Sequence, residues 1–267
     1  MPEFASYLQR WAADSLAVRS SQPCLTDIRY GSVHHESLDV FTTAAAKAPV
    51  LVFLHGGYWR ALDKSDHSFV SPALTEQGVC VVVVNYALCP AVSIPQIVMQ
   101  IVKAMAWIWR HIDTWGGDPN RIHLAGHSAG GHLTAMMMLC NWPMYEPDLP
   151  LDLVKSSLSI SGLYELDTVR QSPALQKDLQ LTDQHVLACS PAWVLPPLGG
   201  QLFSVVGALE SEAFLSHNQL IQNAWGSQCV PVAQVLPGLN HFSILDAFAT
   251  PGHALNDLMR AICHASE

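Results

Sequence analysis

Positive charge is scarce in this chain. Its 267 residues include 13 Lys and Arg against 22 Asp and Glu, a formal net charge of −9, and charged residues are only 13% of the total. Such a balance argues against binding nucleic acid or an anionic membrane through a basic face. Long apolar runs are missing too. The longest, residues 79–84, falls far short of the roughly 20 residues that span a bilayer. The opening MPEFASYLQRWAADS has no basic stretch leading into an apolar core, so no signal peptide is expected. No C-x-x-C occurs, and the seven cysteines are odd in number and widely spaced. Reduced, mostly buried thiols and a cytoplasmic location follow as expectations. Neither a G-x-G-x-x-G nor a P-loop pattern appears, so no dinucleotide or nucleoside triphosphate is implied. Half the residues are hydrophobic, which excludes a disordered chain.

What is present alternates between strand-like and helix-like segments. Residues 26–30 and 37–42 read as the two arms of an antiparallel hairpin. Residues 49–54 (PVLVFL) and 79–84 (VCVVVV) are continuous apolar runs, as in parallel strands covered on both faces. Residues 121–125, 156–160, 201–206 and 230–236 extend the set. Helical spacing fills 94–115, 129–140, 212–225 and 242–264. This order predicts an α/β fold: one domain over 1–267, with a mostly parallel, doubly wound sheet and an N-terminal antiparallel hairpin. Residues 166–200 break the rhythm and are expected to form a small lid insertion.

The chemistry concentrates in three places. Gly126-His127-Ser128-Ala129-Gly130-Gly131 lies between a strand and a helix. A nucleophilic serine at the top of a parallel sheet needs that sharp turn, with small residues two positions before and after it. His55-Gly56-Gly57-Tyr58-Trp59 follows the PVLVFL strand. A glycine-rich loop there brings backbone N–H donors to a developing oxyanion. The expected donors are Gly57, Tyr58 and Ala129, with Gly56 replacing Tyr58 in the alternative register. His55 is expected to brace the loop. Tyr58, Trp59, Tyr164 and Phe242 either line a substrate pocket or are core.

In this fold the nucleophile precedes the acid and the histidine comes last. His241 stands just past the 230–236 strand and is the expected base. Glu210 follows the 201–206 strand directly and is the expected acid. Glu212 is the runner-up, more suited to the first turn of the next helix behind an N-cap at Ser211. Glu165 and Asp167 are a remote option. Thirteen histidines raise the question of a metal. But His123, His127 and His132 straddle a strand, a turn and a helix, with no Cys or carboxylate to complete a ligand set, so no metal is expected.

Together these residues resemble the α/β-hydrolase superfamily, and within it the kynurenine formamidase (arylformamidase) branch and related small-molecule esterases. The motifs that carry the resemblance are His55-Gly56-Gly57-Tyr58-Trp59, Gly126-His127-Ser128-Ala129-Gly130-Gly131-His132 and Ile160-Ser161-Gly162-Leu163-Tyr164-Glu165-Leu166. The resemblance implies a serine hydrolase without a cofactor, acting on a small amide or ester. Its substrate would be N-formylkynurenine or, alternatively, a short-chain ester, and its triad Ser128, Glu210 and His241. The related formamidases carry Asp as the acid, where this chain offers Glu. A non-catalytic binding protein on the same fold is the remote alternative. A homodimer is expected by analogy alone.

Overall fold

Alternation within two apolar strands builds two cores at once. The computed structural model describes residues 4–265. In β3 (Ala48–Leu54), Val50, Val52 and Leu54 face one layer of helices, while Leu51 and Phe53 face the other. β4 (Cys80–Val84) divides the same way: Val82 and Val84 lie on the first side, Val81 and Val83 on the second. Every residue of both strands is buried, as expected for central strands sandwiched between helices.

The other strands are β1 (Cys24–Arg29), β2 (Ser37–Phe41), β5 (Gly117–His127), β6 (Ser156–Ile160), β7 (Gln201–Gly207) and β8 (Val232–Leu236). They form one eight-stranded sheet in the order β1-β2-β4-β3-β5-β6-β7-β8. β2 is antiparallel to both β1 and β4, and all later pairings are parallel. The helix Ile94–His111 covers one face. It buries Ile94, Ile97, Val98, Ile101, Val102, Met105 and Ile108, spaced three or four residues apart. The side chain of Gln96 accepts the Ser93 N–H at 2.8 Å and starts this helix. Gly116, at φ 81°, ends the turn that follows it.

The fold departs from the sequence pattern in two places. The segment 242–264 is not one helix but two, Ser243–Ala249 and Ala254–His264. Pro251 cannot continue the first helix, and Gly252, at φ 75°, reverses the chain. His253 then caps the second, its Nδ1 accepting the Leu255 N–H at 3.1 Å. The second difference is a helix over Phe4–Ser21 that the sequence pattern did not reveal. It buries only Trp11 and Ser15 and so has no apolar stripe to read. Side-chain bonds hold it instead. Arg10 pairs with Asp246 and Trp11 Nε1 donates to the same carboxylate. Ser15 accepts the Phe69 N–H, and Arg19 donates to the Ser65 carbonyl.

The insertion between β6 and β7 contains three short α-helices, Asp167–Arg170, Pro173–Leu179 and Asp183–Ala188, and a 3-10 turn at Pro191–Trp193. Val169, Leu179, Leu181, Val186 and Cys189 tuck its underside into the core. Arg60 ties it to the loop after β3, donating to the Ala174 carbonyl at 2.9 Å and to Asp178 at 2.5 Å.

Candidate active site

The C-terminal ends of β3, β5, β6, β7 and β8 converge, and the residues singled out in the sequence lie in the loops leaving them. Ser128 stands between β5 and the helix Ala129–Met138, at φ 57° and ψ −116°. A non-glycine residue held there is strained by about 1–3 kcal/mol. Its neighbours show why the turn needs glycine. A Cβ on Gly126 would sit 2.2 Å from the Gly130 carbonyl oxygen, and one on Gly130 would sit 1.9 Å from that of Leu54. The Ser128 N–H is anchored on the Ile160 carbonyl at 2.8 Å. Only 2% of Ser128 is exposed.

The loop after β3 is unusual along its length. Gly57, Tyr58 and Trp59 all take positive φ, at 103°, 49° and 56°. A Cβ on Gly57 would meet the Ala61 carbonyl oxygen at 2.0 Å. The Gly57 carbonyl accepts the N–H groups of Arg60 and Ala61, which closes the turn. The N–H groups of Gly57 and Tyr58 donate to no backbone carbonyl among the described residues. The N–H of Ala129, first in its helix, has no intrahelical acceptor by geometry.

His55 is fully buried behind this loop, with Nδ1 2.8 Å from the Gly56 carbonyl, Nε2 3.2 Å from Asn85 Oδ1, and its ring stacked on Tyr86 at 4.2 Å. Burial pushes its pKa below the ordinary histidine range. That places it in a bracing position, away from solvent.

Glu210 and His241 meet. His241 Nδ1 lies 2.6 Å from Glu210 Oε2. The carboxylate side chain is fully buried, while the imidazole is 19% exposed. The other carboxylate oxygen, Oε1, accepts the Gly207 N–H at 2.8 Å and the Ser161 hydroxyl at 2.6 Å. Glu212 is exposed on the first turn of the helix Glu212–Cys229. Ser211 has the extended backbone of an N-cap there, but its side chain makes no capping bond. Glu165 Oε1 accepts the Asp167 N–H, and Asp167 pairs with Arg170, so both carboxylates are engaged within the insertion.

His127 joins the turn at Ser128 to the loop of His241. Its Nε2 donates to the His241 carbonyl at 2.8 Å, and the two rings are 4.6 Å apart. Burial first, and then the neighbouring His241, push its pKa well below the ordinary range. His127 is therefore neutral at ordinary pH. Phe214 also packs on His241, at 4.3 Å. Neither Ser161 nor Phe214 stands out in the sequence as part of this site. Ser161 carried a signal in the Ile160-Ser161-Gly162 motif at a strand end. Phe214 carried none.

The aromatics expected near substrate separate into two groups. Trp59 and Tyr164 are fully buried. Trp59 packs edge-on against His132 at 5.0 Å. The Tyr164 hydroxyl bonds Ser159 Oγ at 2.7 Å and Ser204 Oγ at 2.9 Å, bridging β6 and β7. Both belong to the core. Tyr58 is half-buried, and burial together with the nearby Glu210 charge raises its pKa. Phe242 is half-buried beneath the N-terminal helix, 5.2 Å from Phe4 and 5.4 Å from Tyr7.

His123, His127 and His132 bond Ser156, the His241 carbonyl and the Cys189 carbonyl respectively. Their rings therefore diverge. Among the described residues no helix is long and apolar enough to cross a membrane.

Known proteins share this frame. The BD-FAE family model matches residues 38–150. Kynurenine formamidase of Danio rerio is 27% identical over 249 residues, 90% of this chain and 82% of its own length. Esterase LipC of Mycobacterium tuberculosis is 33% identical over 142 residues, 51% of this chain and 35% of its own. A Silicibacter sp. crystal structure superimposes with a TM-score of 0.85 at 27% identity, covering 97% of this chain and 93% of that one. A Pyrobaculum calidifontis esterase gives 0.74 at 18% identity, covering 98% and 93%. In its sheet order, its loop motifs and its relatives alike, this chain has the α/β-hydrolase fold and resembles kynurenine formamidase.

Proposed function

We propose that the protein is a serine hydrolase acting on a small amide, most closely an arylformamidase that converts N-formylkynurenine to kynurenine and formate. The observation that carries this reading is the buried Glu210–His241 pair, at 2.6 Å, tied through His127 to the strained turn of Ser128. Glu210 fixes the imidazole with Nδ1 protonated, which leaves Nε2 free to act as base. His241 takes the Ser128 proton as the hydroxyl oxygen attacks the formyl carbonyl. The N–H groups of Ala129, Gly57 and Tyr58 hold the oxyanion. His241 then gives its proton to the leaving aromatic amine. Water, deprotonated by the same imidazole, attacks the formyl ester on Ser128 and frees formate.

The near-complete burial of Ser128 supports a small acyl group, and formyl is the smallest. Tyr58 is half-exposed and feels the Glu210 charge, which supports a role for its ring against the leaving group. The similarity to LipC over half the chain favours a second reading, a carboxylesterase for short-chain esters. The deciding measurement compares kcat/KM for N-formylkynurenine and p-nitrophenyl acetate, alongside fluorophosphonate labelling of the wild type and of Ser128→Ala. Labelling lost in the variant, with formamide turnover in the wild type, is the expected result. Ester turnover with negligible formamide turnover would select the esterase. No adduct at neutral pH would refute both.

A further inference from the structure

We infer that Ser161 is a positioning residue that sets the basicity and orientation of the Glu210–His241 pair; this rests on the serine-hydrolase reading above. Ser161 follows β6 immediately, is 1% exposed, and stands at φ 53°. Its N–H is fixed on the Val205 carbonyl at 2.7 Å. From that position its hydroxyl donates to Glu210 Oε1 at 2.6 Å, while Oε2 of the same carboxylate receives His241. The left-handed backbone costs an L residue about 1–2 kcal/mol that glycine would not incur. Glycine at 161 would thus remove the strain and also the hydroxyl. The hydroxyl is the only part of this side chain that reaches the site.

Two consequences follow for the pair. Ser161 and the Gly207 N–H are the two donors on Oε1. With both in place the carboxylate plane is fixed, and its second oxygen aims along the Nδ1–H of His241. Without the hydroxyl, Glu210 retains one donor on that side and gains rotational freedom. Its negative charge then also concentrates toward the imidazole, which favours the imidazolium. The other groups facing His241 do not offset this. His127 is held neutral by burial, and Phe214 and Phe242 carry no charge; Tyr58, which feels the Glu210 charge, is kept protonated by burial.

The experiment compares Ser161→Gly with Ser161→Ala in the full-length protein. In both, kcat should fall about tenfold, which corresponds to a typical hydrogen-bond contribution. KM should stay within about twofold, because no substrate contact is removed. The acid limb of the kcat/KM profile should move to higher pH. Ser161→Gly should melt within a few degrees of the wild type while remaining slow, because relief of the left-handed strain offsets much of the lost hydroxyl bond. Loss of activity without loss of stability is an outcome that a structural role alone does not produce.

The NMR titration of the His241 ring protons should move to higher pH in both variants, whether or not the protein turns over any substrate. Wild-type kcat and an unmoved titration in Ser161→Gly would overturn the proposal, as would an activity deficit confined to Ser161→Ala. A wild-type protein that hydrolyses nothing would refute the functional reading instead, and the NMR titration would still decide the role of Ser161.

Discussion

Lowering the pH from 7 to 5 should remove most of this protein's stability, through histidines far from the candidate site as well as near it. His67, His123, His132 and His217 are all 5% exposed or less. Burial pushes the pKa of His67 down to about 3, and those of His123, His132 and His217 to about 4, from an ordinary 6.5. The folded values lie below the unfolded one, so the unfolded chain takes up protons first. Stability is therefore intact above pH 6.5 and declines as the pH falls, until the folded rings also protonate near pH 4. Between pH 7 and pH 5 each ring costs about 2 kcal/mol, so the four together cost several kcal/mol. A domain's whole stability is about 5–15 kcal/mol. Over this range the carboxylates remain largely ionised and contribute little.

Urea unfolding followed by tryptophan fluorescence at the two pH values measures the effect directly. At constant slope, the midpoint should drop by half or more. His123→Leu removes one titrating ring and should reduce the pH-dependent loss by about 2 kcal/mol. The substitution also lowers stability at pH 7, because it leaves the Ser156 hydroxyl without its partner. Midpoints that coincide at pH 7 and pH 5 would refute the argument, because they would mean that these rings are protonated in the folded protein or reach water.

Glu210→Gln should lower kcat by about 10³–10⁴, because an amide cannot stabilise the imidazolium and can favour the wrong tautomer. Glu212→Gln, on the exposed helix start, should leave kcat within about twofold, and a comparable loss in both would disprove the assignment of the acid. Gly57→Ala places a methyl 2.0 Å from the Ala61 carbonyl oxygen at φ 103°. It should displace the loop donors, costing about 10²–10³ in kcat; unchanged turnover would exclude this loop from the oxyanion site.

Legibility in the sequence tracked the range of the forces involved. The turn around Ser128 was readable because it demands glycine at fixed offsets: the Gly130 carbonyl within the turn requires Gly126, and the Leu54 carbonyl of β3 requires Gly130 at the same short spacing from the serine. The strands β3 and β4 were readable because burial on both faces leaves no polar position to disguise them. The break at 250–253 is written in Pro251-Gly252, but the apolar spacing on either side continues through it and masks it.

Other features depended on distant partners. Trp59 and Tyr164 lie within conspicuous motifs, yet whether an aromatic ring faces a pocket or the core is decided by what packs against it. Here that is His132 for one, and Ser159 with Ser204 for the other. The N-terminal helix shows the same limit most sharply. Its anchor, Asp246, lies 235 residues from Trp11, and the bond leaves no periodic trace in either segment. Ser161 combines both cases. Its place at a strand end is legible, but its hydroxyl acquires meaning only when a loop 49 residues later brings Glu210 to it. A serine held in a conformation that suits glycine is thus a local oddity whose reason is long-range.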